Sequence, residues 1–366
     1  MDRKGARGPG RGAEMLGVDV GKAELHGTWR DAETRRVRWQ GAVPNTEAGI
    51  RQLLRRVPGV SVVVEPTGRY GEPLIRAARA AGREVLLAAP RKARAFLWSE
   101  QPRAKTDRVD SAGLALYGLT GRLRPYQLPS PAVDQVQQLL AARRGLSQSL
   151  TSLRQQRATL PLAADVLTPA ITALEQQIAE LDRQMKRALV STPEPSPQRA
   201  LAAAAAADPA VTPAPAPRGH SLATAAAALM AIPGIGEVTA PALAACLVEK
   251  QFTHPDQFVA YLGLDIRVSQ SGRRRGQFGL SKHGDAELRR LLYLAAMAAG
   301  NSTHDRTFAD RYQREQGKGM AKTAALNAVA RKLAKVAWSI VTHGTQYDPK
   351  RVDSQPIDVK PLDYQP

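Results

Sequence analysis

Residues 60–65, VSVVVE, constrain the fold more than any other stretch of the chain. Valine is β-branched and favours strands, and apolar residues at consecutive positions indicate a strand that is covered on both faces. Such a strand lies at the centre of a sheet with helices packed against it. The run closes with Glu65, and a carboxylate at the end of a buried strand is costly unless a partner balances its charge.

The segments on either side of this strand predict one α/β domain. Three shorter apolar runs, MLGVDV, ELHGTWR and RRVRWQGAV, come before it, and EVLLAAP comes after it. Helical patterns fall at about 46–56 and 72–81. Three strands, a helix, a strand, a helix and a strand predict a mixed sheet. This order resembles the ribonuclease-H-like arrangement, although periodicity alone fits other α/β folds as well.

The second half of the chain predicts mainly helices. From about 131 to 189 the pattern is helical, and Pro161 and Pro169 are expected to bracket a break between two arms. The second arm carries an apolar stripe at helical spacing, made of Ile171, Leu174, Ile178, Leu181 and Met185. This stripe suits either a long antiparallel hairpin or a coiled coil between subunits.

The charge of the chain points to a polyanionic partner. It has 52 Lys+Arg against 33 Asp+Glu, a formal net charge of +19, which favours nucleic acid over a membrane surface. The single cysteine, Cys246, excludes an internal disulfide and a multi-cysteine zinc site. No stretch reaches the roughly 18 consecutive apolar residues of a membrane helix, so we expect a cytoplasmic protein with no membrane contact.

Four carboxylates in the first half form a candidate metal site. Asp19 lies inside the MLGVDV strand, and Glu65 ends the VSVVVE strand. Asp107 and Asp110 are three residues apart in KTDRVDS, which puts both on one face of a helix. Carboxylate oxygens on rigid elements are the ligands that Mg²⁺ needs to polarise a phosphodiester. The alternative for Asp107 is that it only begins a helix, because it follows Thr106, a good N-cap residue.

A glycine turn in the second half is a candidate phosphate contact. In IPGIGEVTAPALAACL, a Pro-Gly-x-Gly turn leads into an apolar helix and is similar to a helix-hairpin-helix element. The backbone N–H groups of Gly234 and Gly236 could approach a phosphate at the helix N-terminus. A tight turn between two helices, without a ligand, is the alternative.

The stretch VSQSGRRRG, residues 268–276, begins a basic loop or hairpin rich in glycine, and a helix with Asp285 as its cap is predicted to follow. This pattern predicts a loop that binds phosphates. Three serines, Ser269, Ser271 and Ser281, compete for the role of a nucleophile, and the residues alone do not choose between them.

Taken in order, the motifs GVDVGK, VEPTGRY, KTDRVDS, IPGIG and the SGRRRG…SKHG…LRR block resemble the insertion-sequence-110 family of transposases. The resemblance covers about residues 15–345. It implies a RuvC-like domain whose D-E-D-D tetrad is Asp19, Glu65, Asp107 and Asp110. It also implies a C-terminal transposase domain whose catalytic serine, placed just before a glycine, is Ser271.

The resemblance further implies an RNA-guided DNA recombinase. Ser271 would form a covalent phosphoserine link to DNA, and the tetrad would bind Mg²⁺. The implied partners are donor and target DNA, a structured non-coding bridge RNA, and further copies of the chain in a tetramer built from dimers. The residues expected to contact nucleic acid, besides the two glycines, are Lys105, Arg108, Arg267, Arg273, Arg274, Arg275, Lys282, Arg289 and Arg290.

The resulting prediction is an α/β plus α protein in six segments. They are a disordered basic arm (1–14), a RuvC/ribonuclease-H-like mixed-sheet domain (15–128), a helical coiled-coil hairpin (129–190), an Ala/Pro-rich linker (191–220), a mostly helical transposase domain (221–345) and a tail (346–366). Two other functions stay open: a Mg²⁺-dependent junction endonuclease that uses water as the nucleophile, and a nucleic-acid-binding protein without catalysis.

Overall fold

The chain divides into two compact units, with the boundary between Leu128 and Pro129. The computed structural model describes residues 14–65, 68–100, 106–126, 128–190, 221–271 and 274–352. Several predictions lie outside these residues: the basic arm up to residue 13, the linker at 191–220, the tail from residue 353, Lys105 and Arg273.

The first unit is built on a five-stranded sheet with the order β3-β2-β1-β4-β5. Its strands are β1 (Met15–Val20), β2 (Glu24–Arg30), β3 (Val37–Pro44), β4 (Ser61–Val64) and β5 (Val85–Leu87). β1, β2 and β3 pair antiparallel, whereas β4 pairs parallel with both β1 and β5. This arrangement confirms the predicted mixed sheet of the ribonuclease-H-like type.

Four helices accompany the sheet, namely α1 (Glu47–Arg56), α2 (Glu72–Ala80), α3 (Pro90–Glu100) and α4 (Asp107–Leu119). The valines of β4 show why both faces are covered. Val62 and Val64 join one buried cluster, and Val63 joins another that includes Leu114 of α4. All three valines are fully buried, as the consecutive apolar residues of this strand predicted.

The second unit begins with a long helical hairpin. Its arms are α5 (Pro131–Thr159) and α6 (Ala164–Val190), joined by a 3-10 turn at Pro161–Ala163. The expectation that Pro169 also marks the break is wrong, because Pro169 lies inside α6. A proline removes one backbone hydrogen bond, and the remaining bonds of this 27-residue helix are enough to continue it.

The apolar stripe of α6 lies within this hairpin. Ile171 and Met185 are buried, and the three stripe residues between them are half-buried. Ion pairs join the arms: Arg143 Nε lies 2.6 Å from Asp182 Oδ1, and Arg154 Nη2 lies 2.6 Å from Glu175 Oε1. Of the two uses that the stripe allowed, the antiparallel hairpin is the one that this chain forms by itself.

The remainder of the second unit is helical except for one hairpin of two strands. Its elements are α7 (Leu222–Met230), α8 (Thr239–Glu249), α9 (Pro255–Tyr261), β6 (Ile266–Ser271), β7 (Arg274–Leu280), α10 (Ala286–Gly300), α11 (Thr307–Gly317), α12 (Lys322–His343) and α13 (Pro349–Val352). Buried side chains of α7, α8, α10 and α12 form its core. No helix in the described part of the chain is long and apolar enough to cross a bilayer.

Candidate active site

Asp19 and Glu65 lie on neighbouring strands at one edge of the first unit. β1 and β4 run parallel, and Val18 is opposite Val64, so the next residue of each chain is one of the two acids. Both acids are half-buried, whereas the valines before them are fully buried. The sheet therefore presents two carboxylates side by side at the carboxyl ends of its central strands.

Helix α4 brings the second pair of acids to the same edge. Thr106 caps this helix, and its hydroxyl accepts a hydrogen bond from the backbone N–H of Val109. Asp107 and Asp110 both lie in the first turn of the helix. The role of Asp107 as the first helical residue, which the sequence offered as an alternative, is thus compatible with a place among the four acids.

The position of α4 depends on a glycine in the central strand. A Cβ atom on Gly17 would lie 2.2 Å from the carbonyl oxygen of Ser111 and 2.3 Å from the backbone nitrogen of Ala115. The helix backbone therefore packs directly on β1, at a distance that no other residue would allow.

A polar network then joins the helix to two strands, β2 and β3. Thr28 Oγ1 lies 2.8 Å from Ser111 Oγ, and both groups are buried. Gln40 Nε2 donates to Thr28 Oγ1 at 2.8 Å and to the carbonyl oxygen of Arg108 at 2.9 Å, and Arg108 Nε donates back to Gln40 Oε1. These contacts tie β2 and β3 to the helix turn that carries the acids.

Burial and the other three acids both act on Asp19. Burial raises the pKa of Asp19 above its ordinary value. Negative charges nearby raise it further, in the order Asp107, Asp110 and Glu65. Asp107, Asp110 and Glu65 therefore all lie near enough to Asp19 to act on its charge, and the tetrad itself stays a prediction.

The donor set of this site fits a divalent cation. All four groups offer carboxylate oxygen, which suits hard cations such as Mg²⁺, and a cation would relieve the repulsion that raises the pKa of Asp19. The donor atoms therefore suit a divalent cation. Within the described ranges, no three His, Cys, Asp or Glu side chains are close enough together to coordinate one ion as they stand.

His26 is a neighbour of the tetrad that the sequence reasoning missed. It is paired with Asp19 across β1 and β2, and its positive form would lower the pKa of Asp19. Its Nε2 lies 3.5 Å from Asp107 Oδ2 and 3.6 Å from Glu24 Oε2. The short turn between MLGVDV and ELHGTWR was the available signal, because a tight hairpin fixes which residues face each other.

Ser271 ends the first strand of the hairpin in the second unit. In the backbone register, Ile266 is opposite Leu280 and Ser271 is opposite Arg274, with an irregularity between Ser269 and Ser271. The competing Ser281 lies after the hairpin, and its hydroxyl donates to Asp265 Oδ1. Ser269 and Ser271 lie within the strand instead, and the choice of Ser271 as the nucleophile stays a prediction.

The base of this hairpin is closed by two glycines and an arginine. A Cβ atom on Gly284 would lie 2.0 Å from the carbonyl oxygen of Tyr261 and 2.4 Å from the backbone nitrogen of Gly263. Gly263 has a φ of +66°, in the left-handed region that favours glycine. Arg289 Nη1 donates to the carbonyl oxygen of Leu262 at 2.9 Å.

The basic residues predicted to contact nucleic acid fall into two groups. Arg267 and Lys282 are exposed, and the backbones of Arg274 and Arg275 lie in β7. In contrast, Arg289 bonds backbone carbonyls at the hairpin base, and Arg290 pairs with Glu287 at 2.6 Å. Arg290 is nevertheless exposed, as Arg267 and Lys282 are, whereas Arg289 is half-buried and is the least accessible to a phosphate.

Of the two glycines in the IPGIG turn, Gly234 has a structural reason to be glycine. It has a φ of +81°, and a Cβ there would lie 2.2 Å from the carbonyl oxygen of Ala295. Gly236 is exposed, with nothing within 4 Å of such an atom. Close packing of α10 on the turn therefore explains Gly234 without a ligand, whereas Gly236 remains accessible to one.

Two family models match the chain. A transposase model for the DEDD type found in IS110 elements matches residues 16–162, and a model described as the transposase IS116/IS110/IS902 family matches residues 226–313. Together they cover well over half of the chain, one containing the tetrad and the other Ser271. The chain belongs to the IS110 family of transposases, which are enzymes that act on DNA.

Curated relatives agree with this family. A pilin gene-inverting protein of Moraxella bovis is 24% identical over 355 residues, covering 92% of this chain and 98% of its own length. The transposase for insertion sequence element IS1328 of Yersinia enterocolitica is 34% identical over 130 residues, covering 32% of this chain and 36% of its own. Among solved structures, Thermus thermophilus RuvC in complex with a Holliday junction substrate matches with a TM-score of 0.27 and 15% identity, over 31% of this chain and 99% of its own.

Proposed function

We propose that this transposase cleaves and rejoins DNA through a covalent link between Ser271 and a DNA phosphate, with Mg²⁺ held by Asp19, Glu65, Asp107 and Asp110. The observation that carries the proposal is geometric: Asp19 and Glu65 follow paired residues of β1 and β4, and Asp107 and Asp110 lie in the first turn of α4, which packs directly on β1. Carboxylates that repel one another at a sheet edge are an arrangement that a bound cation stabilises.

In the proposed reaction the Ser271 hydroxyl attacks the scissile phosphorus. The Oγ–P bond forms, the bond to the leaving strand oxygen breaks, the hydroxyl proton passes to solvent and the leaving oxygen takes up a proton. Bound at the carboxylates, Mg²⁺ would supply positive charge that stabilises the negative charge of the phosphate in the transition state. The exposed Arg267 and Lys282 would hold neighbouring phosphates.

A suicide DNA substrate tests this chemistry, since a nick beside the scissile phosphate prevents rejoining and traps the protein on DNA. We expect a denaturation-resistant adduct at Ser271, and Ser271→Ala should lower its yield by about 10⁴-fold or more. Ser269→Ala is the matched control and should still form the adduct. Hydrolysed DNA without an adduct would instead support the junction endonuclease, in which water is the nucleophile.

We also propose that a structured RNA of the element guides the enzyme. The net charge of +19 and the resemblance of the ordered motifs support this. Purified protein mixed with transcripts of the DNA flanking its gene should bind one structured transcript, and recombination should stop when that transcript is omitted. Full recombination with protein and DNA alone would overturn the proposal.

The active form is proposed to be a tetramer in which one subunit supplies the serine and another the tetrad. Neither Ser271→Ala nor Asp19→Asn protein alone should recombine DNA, whereas a mixture of the two should recover activity. A mixture that stays as inactive as its components would show that each site is built from a single subunit.

A further inference from the structure

The first unit contains a cleft of about 690 Å³ that the tetrad does not use. Its walls come from α3, from the last turn of α4, and from residues 122–126, which follow α4. Its volume is within the range of roughly 300–1,000 Å³ that is typical of sites for small organic groups. It is therefore large enough to take one base of a nucleic acid.

The charged residues of the cleft are all basic. Lys92, Arg122 and Arg124 line it and are exposed, and none of its described lining residues is an Asp or a Glu. Among the described residues, no carboxylate lies within ion-pair distance of these three cations. Exposed cations with no carboxylate beside them in the described part of the unit favour an anionic ligand.

The cleft also presents aromatic rings next to these cations. Phe96 of α3 and Tyr117 of α4 are stacked, with their ring centres 4.7 Å apart and their planes 23° apart. Phe96 is half-buried and Tyr117 is buried, and Tyr126 contributes a third ring that is half-buried. Trp98, on the same helix as Phe96, is 66% exposed. Rings beside basic groups are the combination with which proteins hold single-stranded nucleic acid, since bases stack and phosphates pair.

We infer that this cleft binds an unpaired nucleotide of a single-stranded segment of DNA or RNA, with the base against the aromatic rings and the phosphates against Arg122 and Arg124. A base within a duplex is stacked on both faces and cannot enter such a cleft. The inference rests on the proposed function, because that function brings to the first unit the nucleic acid that the cleft would bind.

Helix α4 connects the cleft to the sheet edge at Asp19 and Glu65, called the acidic edge below. Asp107 is its first residue and Tyr117 is ten residues later, which corresponds to about 15 Å along the helix axis. A strand opened at the acids could thus be held a few nucleotides away in the same unit. The cleft would keep an opened strand, or a guide segment beside it, from re-pairing.

Equilibrium binding by the full chain in EDTA tests this, because no cleavage is then needed. The probes are fluorescent oligothymidine, oligouridine and a DNA duplex. Arg122→Ala/Arg124→Ala should weaken binding of single strands by about tenfold and reduce the slope of log affinity against log salt by about 1.4, at about 0.7 per lost phosphate contact. The matched control, Arg55→Ala/Arg56→Ala, removes two exposed arginines of α1 and should leave that slope unchanged.

A second measurement tests the base. The fluorescence of 2-aminopurine in the oligonucleotide should fall on binding, and Phe96→Leu, which keeps an apolar side chain, should reduce this quenching and weaken binding by about tenfold. Comparing the DNA and RNA probes identifies the source of the bound strand.

Equal losses in the Arg122/Arg124 and Arg55/Arg56 variants, equal losses for duplex and single strand, or unchanged affinity for an abasic oligonucleotide would each overturn the cleft assignment. Adduct formation at Ser271 is scored separately. If the protein binds single strands at the cleft but forms no adduct, the proposed serine chemistry is overturned and the cleft assignment is retained.

Discussion

Asp19 and Ser271 stand on two sheets of very different size. β1 has a paired strand on each side in a five-stranded sheet, and α4 packs directly on it at Gly17. β6 pairs with β7 in a sheet of two strands, and Ile266 at its start is 52% exposed. Two-stranded ribbons are marginally stable on their own, whereas larger sheets with buried faces keep their geometry.

This difference matches the tasks proposed for the two regions. Four carboxylates that repel one another must be held at their spacing before a cation arrives, and that requires a sheet, a packed helix and a polar network. A nucleophile has to meet its phosphate only after DNA has bound, so a small hairpin with exposed basic neighbours is sufficient. Substitutions in the two regions should therefore differ in effect, with the largest loss at the acids and the smallest at the hairpin.

The largest effect is expected from Asp19→Asn. Cleavage should fall by about a thousandfold, because the site loses a charge that binds metal next to the phosphate. The pKa of Asp19 is raised in the folded protein, so its ionised form destabilises the fold at neutral pH, and stability is regained as the pH falls through that pKa. In EDTA at pH 7 the variant should therefore melt at a higher temperature than the wild type, and the difference should shrink in acid.

Calorimetry over a pH series measures this difference, and cleavage of a labelled junction measures the activity. Asp165→Asn, which changes an exposed acid of the second unit, should keep full activity. A variant of Asp19 that melts below the wild type in EDTA at pH 7 would show that repulsion at the acidic edge does not act as described.

Gly17→Ala should weaken the fold itself. The added methyl group would overlap backbone atoms of α4, and relieving this overlap should cost about 2–3 kcal/mol of unfolding free energy. Urea unfolding measures the loss, and cleavage should fall with it because Asp107 and Asp110 move with the helix. Gly145→Ala, in α5 with nothing within 4 Å of the new atom, should instead stabilise by about 0.5–1 kcal/mol.

Gln40→Ala should act on the metal requirement more than on the fold. It removes the hydrogen bonds that join β3 to Thr28 and to the backbone of Arg108. The Mg²⁺ concentration for half-maximal cleavage should rise by about 10- to 100-fold, because the helix turn that carries Asp107 and Asp110 loses a support that orients it. Gln52→Ala, which changes an exposed residue of α1, is the control. An equal shift of the Mg²⁺ requirement in both variants would show that Gln40 has no positioning role.

Ser281→Ala should have the smallest effect. It removes the hydrogen bond to Asp265 and should cost about 1 kcal/mol of unfolding free energy. Adduct formation should persist, since this hydroxyl is bound to a carboxylate within the chain. Trapping on the suicide substrate measures it, and loss of the adduct with an unchanged melting temperature would make Ser281 the nucleophile instead.

Much of the first unit followed from the sequence, because strand composition and tetrad spacing are local signals. The strand ELHGTWR has the predicted bounds, and Thr106 caps the helix that carries two of the acids. Helix α3 was not predicted. Ala93 is its only residue that the structure buries among those described, so its sequence lacks the apolar stripe that identifies a helix.

The second unit also contains contacts that the sequence could not predict, for a different reason. Arg289 and Arg290 resemble the other basic residues of the chain in sequence. Their partners in the structure, backbone carbonyls for Arg289 and Glu287 for Arg290, depend on which groups folding brings near them. Likewise, the apolar stripe on α6 predicts a packed face, but the sequence does not say whether that face contacts α5 or another subunit. Such choices are made by tertiary packing, which spacing along one chain does not encode.

The closed base of the serine hairpin gives the segment between Gly263 and Gly284 the properties of an exchangeable cassette. Its two ends nearly touch, so the excised piece and its replacement need to match only at that junction. Exchange between relatives at these two glycines would carry Ser271 and its arginines as one piece, while Arg289 stays behind in the recipient to close the new segment.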